Sequence, residues 1–183
     1  MFILILLIIL AFVIVYAVVV YNKIIRLDNR IENAWSQIDV QLKRRHDLIP
    51  NLVETVKGYM KHEKETLESV IKARSQAVDA SNIQELAQAE GELNNALSKL
   101  LAVVEDYPEL KANKNFLELK EELISTENRV AYARQSYNDS VLYYNNRIEV
   151  FPSNIIAGLF GFRERNYFET DNPDNRDAVN ITF

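Results

Sequence analysis

The chain has 183 residues, four glycines, four prolines, no cysteine and a formal charge of −5. These values exclude disulfides, thiolate metal sites and cysteine nucleophiles, and an acidic balance argues against a nucleic-acid partner, which demands a basic face. Scarce turn formers and long runs of Ala, Leu, Glu, Lys and Gln point to an all-α protein.

From Phe2 to Tyr21 there is no charge, proline or glycine. As a helix this stretch spans roughly 30 Å, the hydrocarbon thickness of a bilayer, and a helix satisfies its own backbone groups, as lipid requires. It has no polar face, so it does not read as a surface-lying amphipathic helix. A cleaved signal peptide needs a basic leading region, a shorter apolar core and a small-residue cleavage site. Here the first charge is Lys23 and no A-x-A stretch follows. Residues 1–22 therefore read as an uncleaved single-pass anchor with the lipid bilayer as its partner. Lys23, Arg26 and Arg30 follow it directly, which places the N-terminus outside and the domain in the cytoplasm by the positive-inside rule.

Beyond the anchor, Ile24, Leu27, Ile31, Trp35, Ile38, Leu42 and Ile49 keep a coiled-coil-like 3/4 spacing, broken once by Arg45. Proline lacks the amide donor and clashes with the preceding turn, so this first helix is expected to stop or kink at Pro50. A second repeat runs through Val56, Met60, Leu67, Arg74 and Val78, ending near Ser81, the candidate N-cap of the next helix. A third runs through Ile83, Leu86, Glu90, Leu93, Leu97, Leu100, Val104 and Tyr107 and is closed by Pro108. Asn113 or Asn115 is placed to cap a long fourth helix, whose stripe runs from Phe116 to Phe151 and whose C-terminal half carries Tyr132, Tyr137, Tyr143 and Tyr144. Four helices on short links predict an antiparallel up-down four-helix bundle over 23–151, with the tyrosines in the core and their hydroxyls reaching out. An even helix count returns the chain to the membrane side. The apolar segment 152–168 is expected to cap the bundle end or touch the interface, and 169–183 is expected to be a flexible tail.

Few residues suggest chemistry. His46, Asp47, His62 and Glu63 could form a metal-binding or catalytic set, but two histidines and no thiol are a meagre supply of ligands. Nucleophile-elbow, P-loop and dinucleotide-binding signatures do not occur. The expectation is a protein that is not an enzyme and takes no metal, cofactor or small-molecule substrate. Arg45, Arg74, Glu90 and Thr126 occupy core-type slots, where a lone charge is costly. Glu90 is expected to pair with Arg74 and set helix register.

Two runs carry a family resemblance. One is Asn33-Ala34-Trp35-Ser36-Gln37-Ile38-Asp39-Val40-Gln41-Leu42-Lys43-Arg44-Arg45-His46-Asp47-Leu48-Ile49-Pro50-Asn51-Leu52-Val53, extended by Val56-Lys57-Gly58-Tyr59 and His62-Glu63. The other is Ala133-Arg134-Gln135-Ser136-Tyr137-Asn138-Asp139-Ser140-Val141 with Phe151-Pro152-Ser153-Asn154-Ile155-Ile156-Ala157. Together they resemble the signatures of the LemA family of bacterial membrane proteins. The resemblance implies an N-terminal anchor, a helical bundle and a part in membrane organisation, and it transfers no catalytic residues. The expectation is a membrane-anchored scaffold that self-associates or binds a membrane protein. The candidate contacts are Lys43, Arg44, His46, Asp47 and Asn51 at one turn, and Phe151, Asn154, Phe160 and Phe162 in the late apolar segment.

Overall fold

The computed structural model describes residues 1–60 and 62–168, and they are all-α. Helices α1 (Phe2–Lys57), α2 (Lys64–Asp79), α3 (Ile83–Val104), α4 (Pro108–Lys111), α5 (Lys114–Glu149) and α6 (Ser153–Phe160) follow in order. The tail expected to be flexible, 169–183, lies outside the described residues. The described residues divide into two compact units, one of residues 1–40 with 131–167 and the other of 41–130 with Phe168. Both α1 and α5 contribute to each unit.

In the first unit, α1 is exposed along its apolar start, and packing begins at Val20. From there Val20, Ile24, Ile31, Ala34 and Ile38 make a buried stripe at helical spacing. Ala133, Tyr137, Val141, Tyr144 and Ile148 of α5 form the stripe that meets it. The Trp35 and Tyr137 rings lie edge to face, 5.7 Å apart. The end of α5 departs from expectation: Phe151 is 75% exposed. The residue before a proline is disfavoured in helical conformation, so α5 stops at Glu149 and Pro152 leads into α6. Gly161 closes α6 with φ 73°, a left-handed conformation that only glycine adopts without penalty. The Phe162 amide donates to the Ala157 carbonyl at 3.0 Å and the Gly161 amide to Gly158 at 3.3 Å, the Schellman pattern.

In the second unit, the end of α1, α2, α3 and the start of α5 form an antiparallel up-down four-helix bundle. Ile49, Leu52, Val56, Met60, Val70, Leu93, Leu100 and Phe116 are among its buried core residues. The α3 cap is Asn82, not Ser81: Asn82 Oδ1 accepts the Glu85 amide at 2.9 Å. Glu85 reaches back to the Ser81 amide at 3.0 Å and hydroxyl at 2.7 Å, a variant of the capping box. Asn113 caps α5 as expected, accepting the Phe116 amide at 3.1 Å.

Pro50 does not end α1, which runs through it to Lys57. The break between the first two bundle helices comes after Lys57 instead. A proline at 50 leaves the carbonyl of residue 46 without its helical N–H partner. Here the Nε–H of Arg74, on α2, donates to that carbonyl at 2.6 Å. A side chain thus fills the gap in the ladder, and the helix continues.

Candidate functional site

The densest polar arrangement is inside the second unit. Arg45 and His46 project from α1, and Glu90 and Asn94 lie one turn apart on α3. Arg45 is 3% exposed and Glu90 3%, so both charges are out of water. Arg45 Nη1 donates to Glu90 Oε2 at 2.9 Å, and His46 Nε2 meets Glu90 Oε1 at 2.6 Å. A carboxylate oxygen only accepts, so this contact requires hydrogen on Nε2. Arg45 Nη2 donates to Asn94 Oδ1. Both Glu90 oxygens are therefore engaged by α1.

This differs from the expected Arg74–Glu90 pair. Arg74 is drawn to the carbonyl that Pro50 orphans, and Glu90 takes Arg45 and His46 instead. Two neighbouring residues on α1 clamp one residue on α3, so the cluster fixes how these two helices register. Paired, hydrogen-bonded charges tolerate burial, whereas removing one partner does not. The cavity beside Arg45 and Asn94 measures about 50 Å³, far below the several hundred Å³ of a metabolite pocket. Asn94 went unforeseen, although its place four residues after Glu90 is the spacing that puts it on the same face.

The other sequence-predicted residues scatter. His46 belongs to the core cluster and is not the surface contact it was expected to be. Lys43, Asp47 and Asn51, four residues apart along α1, are exposed. Arg44 reaches Glu122 of α5 at 2.5 Å. His62 is exposed, and Glu63 accepts the Tyr107 hydroxyl at 3.3 Å. Among the described residues, no group of three or more His, Asp or Glu is placed to hold a metal. Thr126, expected at a core slot, is buried and returns its hydroxyl to the Glu122 carbonyl at 2.8 Å.

A groove of about 820 Å³ opens between the end of α1 and α2. Pro50, Val53, Met60, Leu67 and Ile71 make it apolar, while Glu54, Lys57, Lys64, Glu68 and Lys72 line it with charge. Its size falls in the range of binding clefts.

In the first unit, polar contacts gather around Arg165, which periodicity did not flag. Its guanidinium donates to Asp28 at 2.8 and 3.0 Å and approaches Glu32 at 3.4 Å. Its backbone is held by Asn145, which accepts the Arg165 amide at 2.9 Å and donates to its carbonyl at 3.0 Å. Burial works against the Arg165 charge, but hydrogen bonding to and attraction by Asp28, then Glu32 and Tyr144, raise it above its ordinary value. Burial raises Tyr137, with Arg165 opposing and Glu32 adding to the rise. Burial also raises Tyr144, supported by Asp28 and opposed by Arg165. The Tyr137 hydroxyl donates to the Asn166 carbonyl at 3.0 Å. Phe160 and Phe162 lie on Tyr21, with ring centroids 4.7 and 5.7 Å away. Phe151 and Asn154 are exposed beside them in sequence.

The model of the LemA family matches residues 34–183, which include the two signature runs except Asn33, and the Arg45–Glu90 cluster. The chain belongs to the LemA family. It is 32% identical to Protein LemA of Metamycoplasma hominis over 74% of this chain and 63% of that protein. It is 26% identical to magnetosome protein MamQ 1 of Paramagnetospirillum magneticum, over 81% of this chain and 64% of the relative. Magnetosome protein MamQ of Magnetospirillum gryphiswaldense is 25% identical over the same shares. The chain thus spans under two thirds of the length of these LemA-family relatives. Among its described residues, one helix, α1, is long and apolar enough to cross a membrane.

Proposed function

We propose that this LemA-family chain is a membrane-anchored, non-catalytic scaffold that presents a helical bundle to a partner at the bilayer. The observation that carries the reading is the start of α1. It is charge-free from Phe2 to Tyr21, and 6% of its apolar stretch is buried, unlike the core helix of a soluble protein. Leaving so much apolar helix in water is costly, and a bilayer removes that cost. Lys23, Arg26 and Arg30 favour a cytoplasmic bundle.

The partner is a membrane protein or a second copy, and the α1–α2 groove with the exposed Lys43, Asp47 and Asn51 is the surface offered to it. The relatives called magnetosome proteins fit a role in organising membrane assemblies.

Fractionation of cells expressing the full chain and a variant lacking residues 2–21 tests the anchor. The full chain is expected to stay with membranes through an alkaline wash and the shortened chain to become soluble while keeping its helical circular dichroism. Release of the full chain by the wash would overturn the reading. Protease accessibility in intact cells against spheroplasts tests orientation, and an exterior bundle would reverse it. A photocrosslinker at Asn51 is expected to give one discrete adduct; a featureless smear would remove the partner surface.

A further inference from the structure

We infer that α6 lies in the headgroup layer of the bilayer, with Phe151, Ile155 and Leu159 against lipid. This rests on the anchor reading above and adds a second, peripheral membrane contact to it. Ser153 and Ala157 are the buried stripe of α6. Ile155 and Leu159 each follow by two residues, about 200° around the helix, and so face away from the protein. They are exposed, Leu159 at 76%, and Phe151 adds an exposed ring. The chain carries no charge from Val150 to Phe162. That stretch is too short to span a bilayer, and an apolar face of this kind marks a binding surface.

The depth of α6 is set by α1. Phe160 and Phe162 pack on Tyr21, the last residue of the charge-free stretch. A span of roughly 30 Å that ends at Tyr21 puts that ring where tyrosine concentrates in membrane proteins, at the water interface. Lys23 and Arg26 are exposed on the next turn of α1, and Arg163 is exposed just after α6. These cations complement anionic lipid headgroups and would repel the same face of a second copy.

The chain has no cysteine, so single-cysteine variants of the full chain accept one environment-sensitive fluorophore each. Leu159→Cys, Leu10→Cys and Gln37→Cys are reconstituted in phosphatidylcholine–phosphatidylglycerol vesicles. The lipids carry a nitroxide either near the headgroup or near the end of the acyl chain. The label at 159 is expected to be quenched about twofold more by the shallow nitroxide, as for a helix sunk a few ångströms into the interface. The label at 10 is expected to prefer the deep nitroxide, and the label at 37 to respond to neither. Quenching at 10 without quenching at 159 would overturn the inference alone. No quenching at 10 would overturn the anchor reading first. A 159 signal that shifts with protein density but ignores nitroxides would assign the face to a second copy and overturn the inference.

Discussion

In the unit of residues 1–40 with 131–167, α1 meets α5, α6 and the segment that follows it. In the unit built on 41–130, α1 meets α2, α3 and α5 around a shared, largely aliphatic core. The first unit draws on polar and aromatic side chains at its margins: Asp28–Arg165, Asn145 on the Arg165 backbone, Trp35 on Tyr137. Its main ion pair remains partly in water. The second unit has a core deep enough to bury Arg45, Glu90 and His46 together. The number of packed helices decides which kind of polar contact is affordable, and that in turn decides how much one substitution can cost.

The comparison breaks most visibly at Glu90. Glu90→Ala leaves Arg45 buried without its counter-charge and is expected to destabilise the bundle by ~3–5 kcal/mol in denaturant unfolding. A loss below ~1 kcal/mol, the level of an exposed pair, would place the cluster on the same footing as Arg165. Next in size is Arg74→Ala, which strips the Pro50-orphaned carbonyl of its donor and is expected to cost ~1–3 kcal/mol. Pro50→Ala supplies a backbone N–H for the same carbonyl, so the Arg74→Ala penalty is expected to shrink in that background. An unchanged penalty in the double-mutant cycle would show that the two residues do not share this acceptor. Asp28→Ala in the first unit removes one partner of the partly exposed Asp28–Arg165 pair and is expected to cost at most ~1 kcal/mol, less at high salt.

The smallest expected effect is at the α3 cap. Hydrogen bonds from the Ser81 side chain and backbone, and the one with Asn82, lower the Glu85 carboxyl below its ordinary value, slightly opposed by burial. A carboxyl depressed in the folded state stabilises above its unfolded value and loses that contribution as pH falls through the folded one. Wild type and Glu85→Gln are therefore expected to differ slightly in melting temperature at neutral pH and to converge under acid. A gap that widens below the ordinary carboxyl range would contradict the cap.

Helical periodicity made most of this architecture legible. The 3/4 stripes locate the buried faces of α1, α3 and α5. Of the tyrosines expected in the core, Tyr137 and Tyr144 are buried, whereas Tyr132 and Tyr143 lie off the stripe and are exposed. Arg45 and Glu90 stand out as charges in core slots. Their pairing does not, because periodicity reports a face and not which neighbour lies across from it. Core-type slots and opposite charge point to Arg74 as the partner of Glu90. Its actual acceptor, the His46 carbonyl, exists only because Pro50 withholds an amide, a backbone effect that no side-chain pattern records. Arg165 was missed for a similar reason: it follows α6 in irregular chain, where no repeat singles out one residue. The Asn82 cap lies one residue from Ser81, within the usual imprecision of helix ends.

The unbroken start of α1 has a further consequence. With no loop between the exposed apolar stretch and the buried stripe that starts at Val20 and continues through Ile24 and Ile31, rotational phase is conserved from one to the other. Inserting a single residue at Asn22 would turn one part by about 100° against the other. Length matters here modulo the helical repeat, so a chain lengthened by seven residues should be tolerated far better than one lengthened by two.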